Sequence, residues 1–185
     1  PWGVSVSVAT PDDICAPQSE LICFDFGKSY PGLGQRVVAN GFNSSSTTID
    51  PPIPYPMESF SLKVLRGNYS DSTPQDYFFS VNIIAPESNT VNLVNLTNGC
   101  QTQTFNFSLA DTGSLPIGTQ NGTCVGINST PIITIFKPFQ SFAETLIGKT
   151  LLGGQWSLFF INQNANETLY IQEFTFNACY KQTAA

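Results

Sequence analysis

The sequence predicts an all-β fold, a two-sheet antiparallel β-sandwich, on three observations. The chain has 15 Phe and six Tyr but only one Met, beside many Asn, Ser, Thr, Gly and Pro. Such a composition is typical of strands and turns rather than helices. Apolar and polar residues alternate over short stretches, which is the pattern of half-buried strands. About ten such stretches follow one another with turns between them, as in a sandwich.

Strands and one connector are predicted for the first third of the chain. Residues 1–11, 20–26 and 35–39 read as strands bounded by Gly, Pro or Asp. Residues 43–56 are Ser/Thr-rich and then contain prolines at positions 51, 52, 54 and 56. Because proline lacks the backbone donor that helices and ladders need, we expect a rigid connector there.

A three-strand meander is predicted for the middle of the chain. Alternation places Phe60, Leu62 and Val64 on one face of its first strand. The other two strands are residues 77–83 and 91–96, joined by a turn that begins at a proline. We expect these three strands to be neighbours in one sheet.

Two more strands, at residues 101–109 and 132–136, are predicted before the C-terminal region. In the first of them Phe105 and Phe107 alternate with Asn106, which therefore points away from the core. Residues 142–149 form the one stretch whose apolar spacing permits about two helical turns.

Two long strands, at residues 157–161 and 169–176, are predicted to close the chain. An Asn-rich turn at 162–166 joins them. Residues 157–161 are apolar on both faces, which favours burial in a sandwich core. Trp156 shares a face with Leu158, so we expect it to anchor the core and not to serve as a ligand platform.

The C-terminal region also carries a family resemblance. A small-residue run ends in Gly154 and is followed by Trp156-x-Leu158, a polar turn, and a closing strand with Leu169, Phe174 and Phe176. The stretches 76–81, 85–91 and 138–142 add to the pattern upstream. Over residues 56–178 the chain resembles the P-domains, β-sandwich modules that follow the catalytic domain in subtilisin-like proprotein convertases and in many secreted bacterial proteases.

The resemblance implies a jelly-roll sandwich of the galactose-binding-like type. We expect one domain over residues 1–185, in which residues 1–55, with the N-terminal strands and the connector, pack on a P-domain-like core at 56–180. P-domains often hold calcium, but of the family's acidic positions only Asp76 keeps its charge, and Asn162 stands where the family often has Asp. Asp76 is thus the candidate calcium ligand that the resemblance implies. Because several carboxylates are usually needed to bind calcium, we expect no cofactor and no calcium requirement.

Five cysteines without zinc-site spacing, in a chain without histidine, indicate disulfides. Disulfides favour a secreted or extracellular surface protein. Cys100 and Cys124 flank one excursion of the chain and are predicted to pair. Cys15, Cys23 and Cys179 share a second bridge, for which Cys15 with Cys23 is preferred because eight positions suit a local clip.

Seven Asn-x-Ser/Thr sequons exceed the roughly three that composition alone would give. The excess favours a eukaryotic secretory chain, although an Asn/Thr-rich β protein also accumulates sequons by chance. The candidate glycosylation sites are Asn43, Asn68, Asn95, Asn106, Asn121, Asn128 and Asn166. No apolar run is long enough to span a bilayer and no signal peptide is present, so we expect a mature or excised ectodomain.

The missing histidine removes the Ser-His and Cys-His pairs of nucleophilic catalysis, and no catalytic residue is predicted. Asp71, Asp76, Glu87 and Asp111 lie near predicted strand ends and read as solvated loop charges. A net charge of −6 without a basic cluster argues against nucleic-acid binding. We predict a non-catalytic module for binding, adhesion or assembly, with a protein or surface glycan as partner. The alternatives are the accessory P-domain of a secreted protease and a carbohydrate-binding jelly roll.

Overall fold

Two β-sheets stacked face to face make up most of the protein, so the all-β, two-sheet prediction is confirmed. The computed structural model describes residues 3, 18–70, 75–76, 79–96, 101–102, 104–114, 116–120, 123–125 and 135–183. Apart from residue 3, the predicted strand at 1–11 lies outside these residues. The described residues contain one α-helix, α1 (Phe142–Thr145), where a helical stretch was predicted. None of their helices has the length and apolar character to cross a membrane.

The first sheet has six strands, and all but one of the pairs of neighbouring strands are antiparallel. They are β1 (Ser19–Ser29), β2 (Gln35–Val37), β4 (Met57–Tyr69), β9 (Thr104–Leu109), β12 (Ile135–Phe136) and β14 (Leu169–Thr183). Their order is β1-β14-β4-β9-β12, and β2 pairs with the beginning of β14. The short strand β12 runs parallel to β9.

The second sheet has four antiparallel strands in the order β3-β13-β6-β7. They are β3 (Phe42–Ile49), β6 (Phe79–Ala85), β7 (Asn89–Leu96) and β13 (Gly154–Asn162). A 3-10 turn at Pro86–Ser88 joins β6 to β7. Two small ribbons complete the described strands: β5 (Gln75–Asp76) with β8 (Gln101–Thr102), and β10 (Gly118–Gln120) with β11 (Thr123–Val125).

The eight longest strands pair in a nested order. In chain order they are β1, β3, β4, β6, β7, β9, β13 and β14. The first pairs with the eighth, the second with the seventh, the third with the sixth and the fourth with the fifth. Strands from the beginning of the chain therefore join strands from its end, and both sheets depend on residues 19–49.

Aromatic side chains fill the space between the sheets. Trp156 of β13 is completely buried, and its ring centroid lies 5.4 Å from that of Phe26 and 5.3 Å from that of Phe60, both in the first sheet. The indole N–H donates to the Leu151 carbonyl oxygen at 3.1 Å. These contacts confirm that Trp156 is a core residue.

The alternation predicted for residues 104–109 is also confirmed. Phe105, Phe107 and Leu109 are buried, whereas Asn106 is exposed. The Phe105 ring centroid lies 5.1 Å from that of Phe79 in the second sheet. This pair packs the two sheets together at a second point.

The prediction of a connector at 43–56 is wrong for its first half, because Phe42–Ile49 forms β3. The Ser/Thr run has little hydrophobicity, yet it pairs with β13 along its whole length. The side chains of Ser46 and Ser157 also form a hydrogen bond, with their oxygens 2.9 Å apart. Pairing with a distant strand therefore orders a stretch that looks like a linker by composition.

The predicted meander is also wrong. Its second and third strands, β6 and β7, do pair with each other. Its first strand, β4, lies in the other sheet between β14 and β9. The nested pairing makes the chain cross from one sheet to the other after β4, which local alternation does not reveal.

Candidate functional site

One disulfide is described, and it differs from the preferred pairing. Cys23 of β1 is bonded to Cys179 of β14, at directly opposite positions of the two strands, so the Cys15–Cys23 prediction is wrong. A local clip was preferred, but the bond joins residues 156 positions apart because the first long strand pairs with the last. Cys15 and Cys100 lie outside the described residues, as does the side chain of Cys124. The Cys100–Cys124 bridge stays a prediction.

Asn162, placed by the family resemblance at an acidic position, lies buried in a backbone network. Its amide nitrogen donates to the carbonyl oxygens of Val37 at 3.2 Å, Val38 at 3.3 Å and Glu167 at 2.8 Å. Its amide oxygen accepts from the backbone N–H of Asn164 at 3.1 Å. The side chain thus ties the β13–β14 turn to the segment after β2, and its donors are already used.

The carboxylates considered for calcium or catalysis are dispersed. Asp76 lies in β5, with its side chain outside the described residues, and Asp71 is outside them altogether. Glu87 lies in the turn between β6 and β7. Where side chains are described, no group of three or more Cys, Asp or Glu residues could hold a metal ion. The expectation of calcium independence stays a prediction.

Glu58 and Asp111 line one groove of about 400 Å³. Both Asp111 oxygens are engaged with α1: they accept from the backbone N–H groups of Phe142 at 2.9 Å and Ala143 at 2.8 Å. The Ser141 hydroxyl donates to the same carboxylate at 3.2 Å. Asp111 therefore caps the helix, which accounts for its position without a catalytic role.

The predicted glycosylation sites differ in accessibility. The exposed ones are Asn95, Asn106 and Asn166. Asn43 and Asn68 are half-buried. The amide nitrogen of Asn43 donates to the Arg36 carbonyl oxygen at 2.8 Å, and that of Asn68 to the Tyr69 carbonyl oxygen at 2.9 Å. Asn121 and Asn128 lie outside the described residues.

The second sheet has an outer surface without charge, here called the uncharged face. Its four strands, of eight, nine, seven and eight residues, contain no Asp, Glu, Lys or Arg. The outward residues of β3 and β13 are Phe42, Ser44, Ser46, Thr48, Gln155, Ser157, Phe159 and Ile161. Those of β6 and β7 are Ser80, Asn82, Ile84, Thr90, Asn92 and Asn95, of which Ser80 is buried.

An aromatic pair lies at one end of the uncharged face. Phe42 is 71% exposed, and its ring centroid is 5.5 Å from that of the half-buried Phe159, with the rings tilted by 37°. The two residues are diagonal neighbours on paired strands, a geometry that lets rings touch. Around the pair the face offers mostly hydroxyl and amide groups. This combination can bind an uncharged, hydroxyl-rich or weakly apolar surface.

The outer surface of the first sheet has the opposite character. Lys63 of β4 pairs with Asp25 of β1 at 2.8 Å, and Arg66 of β4 pairs with Glu173 of β14 at 3.2 Å. The hydrogen bond from Lys63, assisted by one from Asn177, lowers the pKa of Asp25 below its usual value. The sandwich thus has one charged face and one uncharged face.

Sequence reasoning does not find the uncharged face, because the Ser/Thr-rich residues of β3 have the composition of a connector. Two signals in the sequence could have found it. Residues 42–49 place Phe42, Ser44, Ser46 and Thr48 on one side of an extended chain, and none of the four strands contains a charged residue. What the sequence alone does not provide is the side of the sandwich to which these residues belong.

Over the described residues, fold and surface define an all-β, two-sheet sandwich with the Cys23–Cys179 disulfide and one uncharged face. No protein-family model matches the chain, and no curated protein matches it. A structural match is a chain from the crystal structure of the Aeromonas sobria serine protease in complex with its chaperone. That chain is 10% identical with a TM-score of 0.42, and the match covers 88% of this protein but 27% of that chain. A likeness this weak gives neither a family nor a function.

Proposed function

We propose that this protein is a non-catalytic extracellular module, a jelly-roll sandwich over one domain, that binds its partner through the uncharged face. The nested pairing of its eight long strands supports the jelly-roll assignment, since double-sheet jelly rolls are built from eight strands in two Greek keys. The Cys23–Cys179 bond supports an oxidising compartment. The proposal includes N-glycosylation, for which Asn106 on the charged face is the best placed site.

The observation that carries the proposal is the lack of charge on four neighbouring strands. Charged residues make up 11% of the chain, and a solvated sheet surface is where they are normally placed. Here the exposed surface carries a ring that is 71% exposed instead. Exposed apolar groups rimmed by polar ones are typical of interaction sites.

The experiment compares two matched substitutions, Ser44→Glu on the uncharged face and Thr104→Glu on the charged face. Both residues are exposed on strands, so both variants should fold. Binding is measured to four immobilised probes: neutral polysaccharides, anionic polysaccharides, phospholipid vesicles and the protein itself. We expect at least one probe to be bound by the wild type and by Thr104→Glu but not by Ser44→Glu. Binding to none of them, or equal binding by both variants, contradicts the proposal.

A second candidate function is the accessory domain of a secreted protease, as the P-domain resemblance implies. The strand order that supports a jelly roll also favours this candidate. Against it, the resemblance covers residues 56–178, whereas β1 and β3 lie before residue 56 and complete the two sheets. Sequencing the gene around this chain decides the matter, since a subtilisin-like catalytic domain directly upstream would favour the accessory role.

A further inference from the structure

The aromatic pair of the uncharged face offers two ring surfaces to a ligand. Phe42 packs one side of its ring against Phe159 and leaves most of the remainder in solvent. The face of an aromatic ring carries negative charge density, which attracts C–H groups that carry a partial positive charge. A pyranose ring presents such C–H groups on one side, so its shape and polarity match an exposed, tilted ring pair.

Hydroxyl and amide groups continue from the aromatic pair across the sheet. Ser44, Ser46 and Ser157 lie next to the pair on β3 and β13, and Asn82 lies opposite Phe159 on β6. Neighbouring strands are about 4.8 Å apart, so in the row Ser44–Phe159–Asn82 a polar side chain flanks the Phe159 ring on each side. Serine hydroxyls and asparagine amides both donate and accept, which suits a ligand whose hydroxyls do the same.

The absence of charge selects among polysaccharides. A carboxylate or sulfate bound around Phe42 and Phe159 would lose hydration without gaining a basic side chain from the four strands, which contain no Lys or Arg. A neutral chain has no such cost. Lys149 reaches the sheet at its other edge, where its Nζ donates to Asn89 of β7 at 2.7 Å. The lack of charge on the face therefore favours a neutral polysaccharide over an anionic one.

A second copy of this chain fits the face less well. On β3 and β13 only Phe42, Phe159 and Ile161 of the eight outward residues are apolar. Stacking two such faces would bury many hydroxyl and amide groups, each of which needs a new partner to avoid a loss of free energy. A hydrated, hydroxyl-rich ligand can adjust to supply those partners, whereas the short side chains of a second sheet would each have to meet a partner in a fixed register.

We propose that the uncharged face binds a neutral polysaccharide, with Phe42 and Phe159 stacking on its sugar rings and the serine and asparagine side chains hydrogen-bonding to its hydroxyls. The proposal deepens the proposed function and rests on it. The ligand class is any soluble or surface glycan without carboxylate or sulfate groups.

The test measures the mobility of the protein in native gels that contain a β-1,3-glucan, a galactomannan or hydroxyethylcellulose, followed by calorimetry with each polysaccharide that retards it. Heparin and polygalacturonate are the anionic controls. Phe42→Ala and Phe159→Ala are compared with Phe139→Ala, which removes a ring that is 62% exposed on the segment hydrogen-bonded to β7, at the other edge of the sheet. The thermal midpoint of each variant, measured alongside, shows whether it is folded.

We expect at least one neutral polysaccharide to bind, about tenfold more weakly to Phe42→Ala or Phe159→Ala and unchanged to Phe139→Ala. Neutral binding that does not depend on Phe42 overturns the proposal. Binding of anionic polysaccharide alone to the uncharged face would also overturn it, as would self-association that Phe42→Ala abolishes. Either of these two results would leave the proposed function intact. If neither polysaccharide class, vesicles nor the protein itself binds, both proposals fail.

Discussion

Replacing Trp156 by alanine tests whether the packing of this side chain, the largest that is fully buried, stabilises the contact between the two sheets. The ring has no exposed surface and packs against Phe26, Phe60 and Phe176 of the first sheet. Truncating a buried Trp to Ala costs about 3–5 kcal/mol through lost transfer free energy and the remaining cavity. The Leu151 carbonyl oxygen loses the indole donor but still accepts from the Gly153 N–H at 2.9 Å, so we place the cost in the middle of this range, at about 4 kcal/mol.

Trp156→Phe separates the two contributions. Phenylalanine keeps most of the ring packing but cannot donate to the Leu151 carbonyl oxygen, so we expect a loss of about 2 kcal/mol. Phe42→Ala is the matched control on the surface, because its ring is largely exposed. It should change the free energy of unfolding by less than about 1 kcal/mol.

Urea denaturation followed by far-UV circular dichroism measures all three variants. Fluorescence is unsuitable because Trp156 is one of only two tryptophans in the chain. A typical domain is stable by about 5–15 kcal/mol, so Trp156→Ala should lose about a quarter or more of the free energy of unfolding. A folded variant that has lost less than about 2 kcal/mol would refute the packing described here.

Three other predictions concern the disulfide, the Asn162 network and one ion pair. Replacing both Cys23 and Cys179 by serine should lower the free energy of unfolding by about 3–5 kcal/mol, because the bond closes a loop through most of the chain. Non-reducing peptide mapping of the wild type should recover the Cys23–Cys179 peptide and not Cys15–Cys23. Asn162→Asp should cost at least about 3 kcal/mol by chemical denaturation, since a carboxylate oxygen would replace the amide nitrogen that donates to the carbonyl oxygens of Val37, Val38 and Glu167. The wild type should melt at the same temperature in calcium and in chelator, and a calcium-dependent midpoint would contradict this expectation. Asp25→Asn should cost less than about 1 kcal/mol at pH 7, because the pair is exposed. The pKa of Asp25 is lowered in the folded state, so the stability that the ion pair contributes is fully present above the unfolded pKa of about 3.9. That contribution disappears as the pH falls through the folded pKa, so the free energies of unfolding of wild type and variant should converge in acid.

Local alternation in the sequence predicted which residues of individual strands face the core. The alternation of Phe105, Phe107 and Leu109 and the apolar face of Trp156 both appear in the core as expected. Short-range periodicity does not report a shift of register, however. Strict alternation predicts that Val64 lies on the same buried face as Phe60 and Leu62. A break in the pairing of β4 between Leu62 and Leu65 instead puts Leu65 in the core and leaves Val64 only partly buried.

Features that depend on distant pairing could not be predicted in this way. The Ser/Thr stretch of β3 becomes a strand through β13, which lies more than 100 positions later in the chain. Cys23 meets Cys179 for the same reason, through the pairing of β1 with β14. The uncharged face was missed with β3, since its existence depends on four strands from separate parts of the chain lying side by side.

The most direct measurement for the uncharged face is a titration of isotope-labelled protein with neutral hexasaccharides of glucose and of mannose, followed by backbone amide NMR shifts. We expect the shifts to concentrate on β3 and β13 around Phe42 and Phe159 and to extend to β6. Amides of β4 and β14 near the Arg66–Glu173 pair should stay unchanged. Shifts on that charged face, or no shifts with either sugar, would contradict the proposed binding site.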